Sequence, residues 1–253
     1  MVNIQFKIYL FIFCALFNFG IFACELLAFS AKENIDARPW FSTLRARGNK
    51  HPDGWGIAFY TDKSATVFKE AGNAVESKLA DFLEKYPLLN TKLFIAHIRK
   101  ASVGGQAHQN THPFLREMDG KEYVLAHNGT LINFREKLPL GRIKPLGAND
   151  SEFLLCYLLG QIEKKAIKKW DKKSFEWLNN ELQEINDTGK LNCIFSDGEL
   201  LFAYYDKNNY NSLYFSMSDS NVIIATKTLT NNKWEKFKKG QLMVIKNGKI
   251  LFY

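Results

Sequence analysis

Cysteine is scarce in this chain: Cys14, Cys24, Cys156 and Cys193 are the four in 253 residues. No two have Cys-x-x-Cys spacing, and three remain if Cys14 leaves with an amino-terminal leader, so neither a disulfide framework nor a structural zinc site is expected. Cys156 and Cys193 stand in apolar runs and read as buried, inert thiols. Proline is equally sparse, with six residues. No linker, internal repeat or low-complexity stretch interrupts the chain, which leaves one large domain. No Gly-x-x-x-x-Gly-Lys phosphate loop occurs. His97, His108, His112 and His127 lack zinc-ligand periodicity and read as structural, so neither metal nor cofactor is expected. Acidic residues are outnumbered 26 to 34, giving a formal charge of +8 with histidine neutral. The excess gathers at Lys164-Lys165, Lys168-Lys169, Lys172-Lys173 and Lys236, Lys238 and Lys239, beside helical or turn patterns. That placement describes a solvated basic face and no nucleic-acid partner.

What is present begins with an apolar leader. Lys7 precedes an apolar run from Ile8 to Ala23, the pattern of a secretory signal peptide over 1–23. The run is short for a membrane span, which takes about 20 residues. The mature domain is then 24–253, periplasmic or secreted, with no stable membrane insertion once the leader is removed. Two alternatives stay open. Ile21-Phe22-Ala23-Cys24 loosely matches a lipoprotein box, which would lipidate Cys24; an uncleaved anchor or a different start would leave a membrane-held or cytoplasmic protein.

After the leader, Cys24–Phe29 reads as a short strand with Cys24 at its edge. A helical stretch around Pro39, Trp40 and Phe41 follows, then a turn-rich knot, His51–Gly56, feeding strands Ile57–Tyr60 and Ala65–Phe68. Val75–Tyr86 has helical spacing. Leu93–Ile98 reads as a buried strand ending at Arg99, and a loop through Asn110-Thr111-His112-Pro113 leads to the strand Tyr123–Ala126. Asp150-Ser151-Glu152 opens a helix to about Lys168, and Ser174–Asn186 reads as another. The tail is strand-rich, with Ser196-Asp197-Gly198 and Asn247-Gly248 as hairpin turns. Strands with many hairpins beside separate helices predict an α+β layered domain.

Singly, the polar residues say little: Arg99 could be a surface residue, Asn128-Gly129 a turn and Asp150 a helix cap. Their order says more. Cys24 before a strand, Asp53-Gly54-Trp55-Gly56, His97-Ile98-Arg99, Asn110-Thr111-His112-Pro113, Ala126-His127-Asn128-Gly129 and Asn149-Asp150-Ser151-Glu152 together resemble the class II glutamine amidotransferase domain. The likeness covers 24 to about 235. More narrowly, it is similar to the standalone bacterial subfamily and to amidotransferase-like proteins that open γ-glutamyl thiols.

The resemblance implies the four-layer αββα sandwich of amino-terminal nucleophile hydrolases. By motif it makes Cys24 the nucleophile, Asn128 and Gly129 the oxyanion donors, Arg99 the clamp on the substrate α-carboxylate and Asp150 the acceptor of its α-ammonium. Ser102 stands where many members have a substrate-touching threonine, and Asp53, Trp55 and His127 fall in motifs that shape the site. The leader is a departure, because typical members begin Met-Cys. An amino-terminal cysteine carries thiol and base on one residue, with ordinary pKa values near ~8.5 and ~7.7–8.0. No length follows the resembling region for a second, ammonia-consuming domain, so hydrolysis is expected over amide transfer. The expected function is an exported γ-glutamyl amide hydrolase acting through a thioester on γ-glutamyl peptides such as glutathione, or on glutamine. A glutaminase subunit delivering ammonia to a separate synthase, a non-catalytic lipoprotein binding module and an amidase for other amides are the alternatives.

Overall fold

A computed structural model describes residues 24–87 and 89–253. The expected signal peptide over 1–23, with Cys14, lies outside the described residues. The strands are β1 (Glu25–Asp36), β2 (Gly54–Tyr60), β3 (Ala65–Glu70), β4 (Asn90–Arg99), β5 (Phe114–Met118), β6 (Lys121–Leu131), β7 (Gly189–Ser196), β8 (Leu201–Tyr205), β9 (Tyr214–Met217), β10 (Asn221–Ala225), β11 (Glu235–Lys236), β12 (Gln241–Lys246) and β13 (Lys249–Phe252). The helices are α1 (Arg38–Arg45), α2 (Lys78–Lys85), α3 (Phe134–Lys137), α4 (Asp150–Lys164) and α5 (Lys172–Ile185).

Two antiparallel sheets result, ordered β11-β9-β10-β1-β4-β2-β3 and β13-β12-β8-β7-β6-β5. Period-two alternation makes the layers. Leu26 and Ala28 of β1, Ala58 of β2 and Ile95 of β4 meet Val124 and Ala126 of β6, Ile194 of β7 and Ala203 of β8 in a core between the sheets. The intervening residues Leu27, Phe29, Trp55 and Ile98 turn outward onto Phe41 and Leu44 of α1 and Ala80 and Leu83 of α2. On the far side Leu125, Leu191 and Phe195 carry Leu154 and Leu158 of α4 and Leu178 and Leu182 of α5. Helices thus cover both outer faces, and the fold is the four-layer αββα sandwich.

Local chemistry sets the helix starts. Asn149, not Asp150, caps α4 by accepting from Ser151 N at 2.8 Å, which frees the Asp150 carboxylate for other partners. Asp171 and Ser174 form a reciprocal capping box on α5. Ser77 caps α2, so that helix starts at Lys78 rather than at the expected Val75. The loop expected before Tyr123 holds a further strand, β5, joined to β6 through Asp119 and Gly120, both at positive φ. The clustered lysines Lys164, Lys165, Lys168, Lys169, Lys172 and Lys173 are exposed, as are Lys236, Lys238 and Lys239.

Candidate active site

Cys24 immediately precedes β1, and the alternation that puts Leu26 and Ala28 between the sheets puts its side chain on that inner side too. Glu25 faces the opposite way. It is buried, accepts from Thr226 Oγ1 at 2.9 Å, and pairs with Arg47 at 3.2 Å and with Lys227, so the strand's start is fastened from behind. On β4 the same inner face carries Ile95, His97 and Arg99; on β6 it carries Val124, Ala126 and Asn128. Three residues remote in sequence therefore meet at one end of the inter-sheet layer.

The Cys24 thiol donates to Lys100 O at 3.3 Å, and its sulfur accepts from Lys100 N at 3.1 Å. Burial pushes this thiol up to about 11, with nearby Asp150 acting the same way, against the Lys100 backbone and the Arg99 charge. Among the described residues no histidine ring or carboxylate hydrogen-bonds to the sulfur. The Cys24 carbonyl accepts from Asn128 Nδ2 and from Asn211 Nδ2, the latter at 3.3 Å. Asn128 Oδ1 is buried without a partner among the described residues. Next to it, a Cβ on Gly129 would lie 2.0 Å from Lys190 O and 2.4 Å from His127 Nε2, so only glycine fits. Gly129→Ala should cost about 1–3 kcal/mol by overpacking, or roughly 2–12 °C in thermal midpoint. A calorimetric scan with an unchanged midpoint would contradict that packing.

Arg99 is 2% exposed. Its Nη2 donates to Val103 O at 2.8 Å and Nη1 to Asp53 O at 3.5 Å, but no carboxylate among the described residues pairs with it. Burial lowers its pKa, while Cys24, Asp53 and Asp150 act to raise it. A buried guanidinium bonded only to carbonyls is poised for an incoming carboxylate. Asp53 fixes the turn beyond Arg99: its Oδ2 accepts from Ala101 N at 2.8 Å and its N–H donates to Arg99 O at 3.3 Å. Asp150, 2% exposed in the first turn of α4, accepts from Leu131 N at 2.8 Å.

His127 lies on the outer side of β6 and ties three elements together. Its Nε2 meets Lys190 O at 3.0 Å and its Nδ1 meets Ser151 Oγ at 2.9 Å. A carbonyl only accepts, so a neutral ring carries its proton on Nε2 and the Ser151 hydroxyl donates to Nδ1. Ser102 is exposed in the loop after β4 and accepts from Thr130 Oγ1 at 3.0 Å. Trp55 is placed elsewhere. Its indole packs on Phe41 with ring centroids 5.5 Å apart and donates to Glu70 Oε2 at 3.2 Å, on the face of the first sheet away from Cys24.

Sequence reasoning missed Asn211, Tyr210, Asn192 and Lys190. Asn192 Nδ2 donates to Tyr210 O at 2.8 Å and to Asn211 O at 2.5 Å, and so holds the loop that brings Asn211 to Cys24. The available signal was the run Asn208-Asn209-Tyr210-Asn211 between strands, in which Asn209 and Asn211 take positive φ.

A family model described as glutamine amidotransferases class-II matches residues 23–217. The chain belongs to the class II glutamine amidotransferases. It is 31% identical to the Escherichia coli K12 protein YafJ, provisionally named a glutamine amidotransferase, over 86% of this chain and 95% of that one. It is 39% identical to an uncharacterised Methanocaldococcus jannaschii protein, over 90% of this chain and 71% of the relative. A Pseudomonas aeruginosa PA01 crystal structure described as a predicted glutamine amidotransferase superposes with a TM-score of 0.68 at 26% identity, covering 91% of this chain and all of that one. The glutamine phosphoribosylpyrophosphate amidotransferase of Bacillus subtilis shares the fold, with a TM-score of 0.66 at 19% identity over 90% of this chain and 48% of its own. Within this class II amidotransferase, the converging thiol, amide, guanidinium and carboxylate suit acyl transfer from an amide.

Proposed function

We propose that this amidotransferase, once Cys24 carries a free α-amino group, hydrolyses the γ-amide of glutamine or of a γ-glutamyl peptide. The carrying observation is the convergence on Cys24 of the Asn128 amide, which donates to the Cys24 carbonyl, and of a buried Arg99 whose charge acts on the Cys24 thiol and which has no carboxylate of its own among the described residues. With the thiol at about 11, only about one molecule in 10⁴ is thiolate at pH 7. Attack therefore needs a base, and an α-amino group on Cys24 itself would provide it.

In the proposed reaction the amine takes the thiol proton as sulfur bonds to the amide carbon, and the carbonyl electron pair moves onto oxygen. Asn128 Nδ2, released from the Cys24 carbonyl, and the Gly129 N–H stabilise that oxyanion. Collapse expels the leaving amine, which takes the proton from the α-ammonium and leaves a glutamyl thioester. A water deprotonated by the same amine then cleaves the thioester to glutamate and free thiol. Arg99 reads the substrate α-carboxylate and Asp150 its α-ammonium, which selects a free amino-acid head group. Arg99→Lys keeps the charge and loses the fork, so KM for glutamine should rise about 10–100-fold with a smaller change in kcat. Steady-state kinetics giving an unchanged KM would remove Arg99 from this role.

We also propose export. The leader pattern over 1–23 is what supports it. Intact-mass analysis of the secreted protein, followed by incubation with glutamine and with glutathione, tests both parts. The expected result is a chain beginning at Cys24, without lipid, that releases glutamate. A diacylglyceryl mass on Cys24 would instead support the lipoprotein alternative, and retention inside the cell the cytoplasmic one.

A further inference from the structure

Arg99 and Asp150 occupy one flank of Cys24. In the first sheet β4, bearing Arg99, lies beside β1, and β10 lies on the other side of β1. In the second sheet α4, bearing Asp150, packs on β5 and β6, whereas β7 and β8 continue the opposite way. A substrate whose head group sits between Arg99 and Asp150, with its amide carbon at the Cys24 sulfur, sends its leaving nitrogen toward that second flank.

There Asn128 pairs in register with Asn192 and Thr130 with Lys190, and alternation puts all four on the inner face of the sheet. The Lys190 Nζ stands 4.7 Å over the Tyr210 ring. Asn192 holds Tyr210 and Asn211 by their carbonyls, and Asn211 reaches the Cys24 carbonyl, so the Tyr210 backbone is tied to the nucleophile's strand while the Lys190 side chain is exposed beside the ring. The Tyr210 phenol and the Cys24 thiol are close enough to interact electrostatically. Among the described residues no carboxylate forms an ion pair with Lys190. One flank thus offers a guanidinium and a carboxylate for an amino-acid head group, and the other an ammonium steadied on an aromatic face.

We infer that Lys190, steered by Tyr210, binds a carboxylate borne by the leaving amine, so that the substrate class is γ-glutamyl amino acids and peptides rather than glutamine, whose leaving group is ammonia. The inference rests on the proposed γ-amide hydrolysis, which orients the substrate. The four-carbon stem of Lys190 lets its charge follow leaving groups of different length, and Tyr210 limits where it can go.

γ-Glutamylglycine and γ-glutamylglycinamide differ in the leaving-side carboxylate alone. With the chain beginning at Cys24, kcat/KM should favour the acid over the amide by about tenfold. Lys190→Gln should bring the ratio to about one and Lys190→Arg should restore most of it, while Lys172→Gln on exposed α5 keeps the native ratio. A ratio near one in the native chain, or a native ratio surviving Lys190→Gln, overturns the inference even where glutamine and both dipeptides are hydrolysed. Calorimetric binding of the two compounds to the Cys24→Ala chain separates the two ideas. Preference for the acid there, with no turnover by the native chain, overturns the proposed reaction and sustains the assignment of Lys190; equal binding overturns that assignment.

Discussion

Cys24→Ala in the mature chain should slow glutamate release from glutamine or a γ-glutamyl peptide by at least ~10⁴-fold, the scale on which loss of a nucleophile is felt when the remaining groups act with it as a unit. The substitution removes the sulfur and leaves the Lys100 backbone, the Asn128 amide and Arg99 where they stand. Cys24 is partly exposed, so water can replace the thiol at Lys100 N and stability should change by under about 1 kcal/mol. The pair of readouts decides the matter. A large fall in rate with an unchanged melting curve assigns Cys24 to the chemistry, whereas residual turnover within tenfold of native would place the nucleophile elsewhere. Cys156 and Cys193 are poor substitutes. Both are buried, and burial raises both thiols, Cys156 to about 11 and Cys193 further.

Acid should weaken the fold through two histidines beside this site. His97 and His112 are buried with their rings 4.2 Å apart, and none of their four ring nitrogens has a hydrogen-bond partner among the described residues. Burial holds both well below the usual histidine range. Arg99, His127 and His51 add to the effect on His97; His97, His127, Arg99 and Lys69 add to it on His112. The backbone of His127 opposes this for His97 without forming a hydrogen bond to the ring. Both rings are neutral in the native state, and the unfolded chain takes up a proton on each below about pH 6.5. Their contribution is therefore fully present above that pH and lost as pH falls, by about 1.4 kcal/mol per unit for each ring. Between pH 7.5 and 5.0 the pair should cost about 4 kcal/mol, or roughly 8–16 °C in thermal midpoint. His97→Gln with His112→Gln removes both titrations and should flatten that part of the curve. Parallel pH profiles for native and double-variant chains would refute it.

Much of this site was legible because its chemistry sits in short ordered motifs at strand ends. Cys24 before β1, Arg99 closing β4 and Asn128-Gly129 near the end of β6 converge because period-two alternation gives each a side, and antiparallel pairing brings the start of β1 to the end of β4. The same alternation separates Trp55 from them: Gly54, Gly56 and Ala58 are the small inner residues of β2, and Trp55, Ile57 and Phe59 face the helices. A motif read as a block hides that division. Strand β5 escaped because Arg116 and Glu117 break its apolar pattern, although Asp119-Gly120 after it is a hairpin signal. Asn211 had no local signature at all. It reaches Cys24 across 187 positions, through a loop held by Asn192 and Asp206, and only the assembled sheets bring those parts together.

The central claim is that sulfur and proton carrier belong to one residue. Two purified chains test it directly, one beginning at Cys24 and one retaining Ala23 before it, assayed side by side for glutamate release at pH 7.5. The chain with the free Cys24 amine should be faster by at least ~10²–10³-fold, because the longer chain holds that nitrogen in a peptide bond and keeps a thiol at about 11 without a base. Equal rates from the two chains would contradict the account.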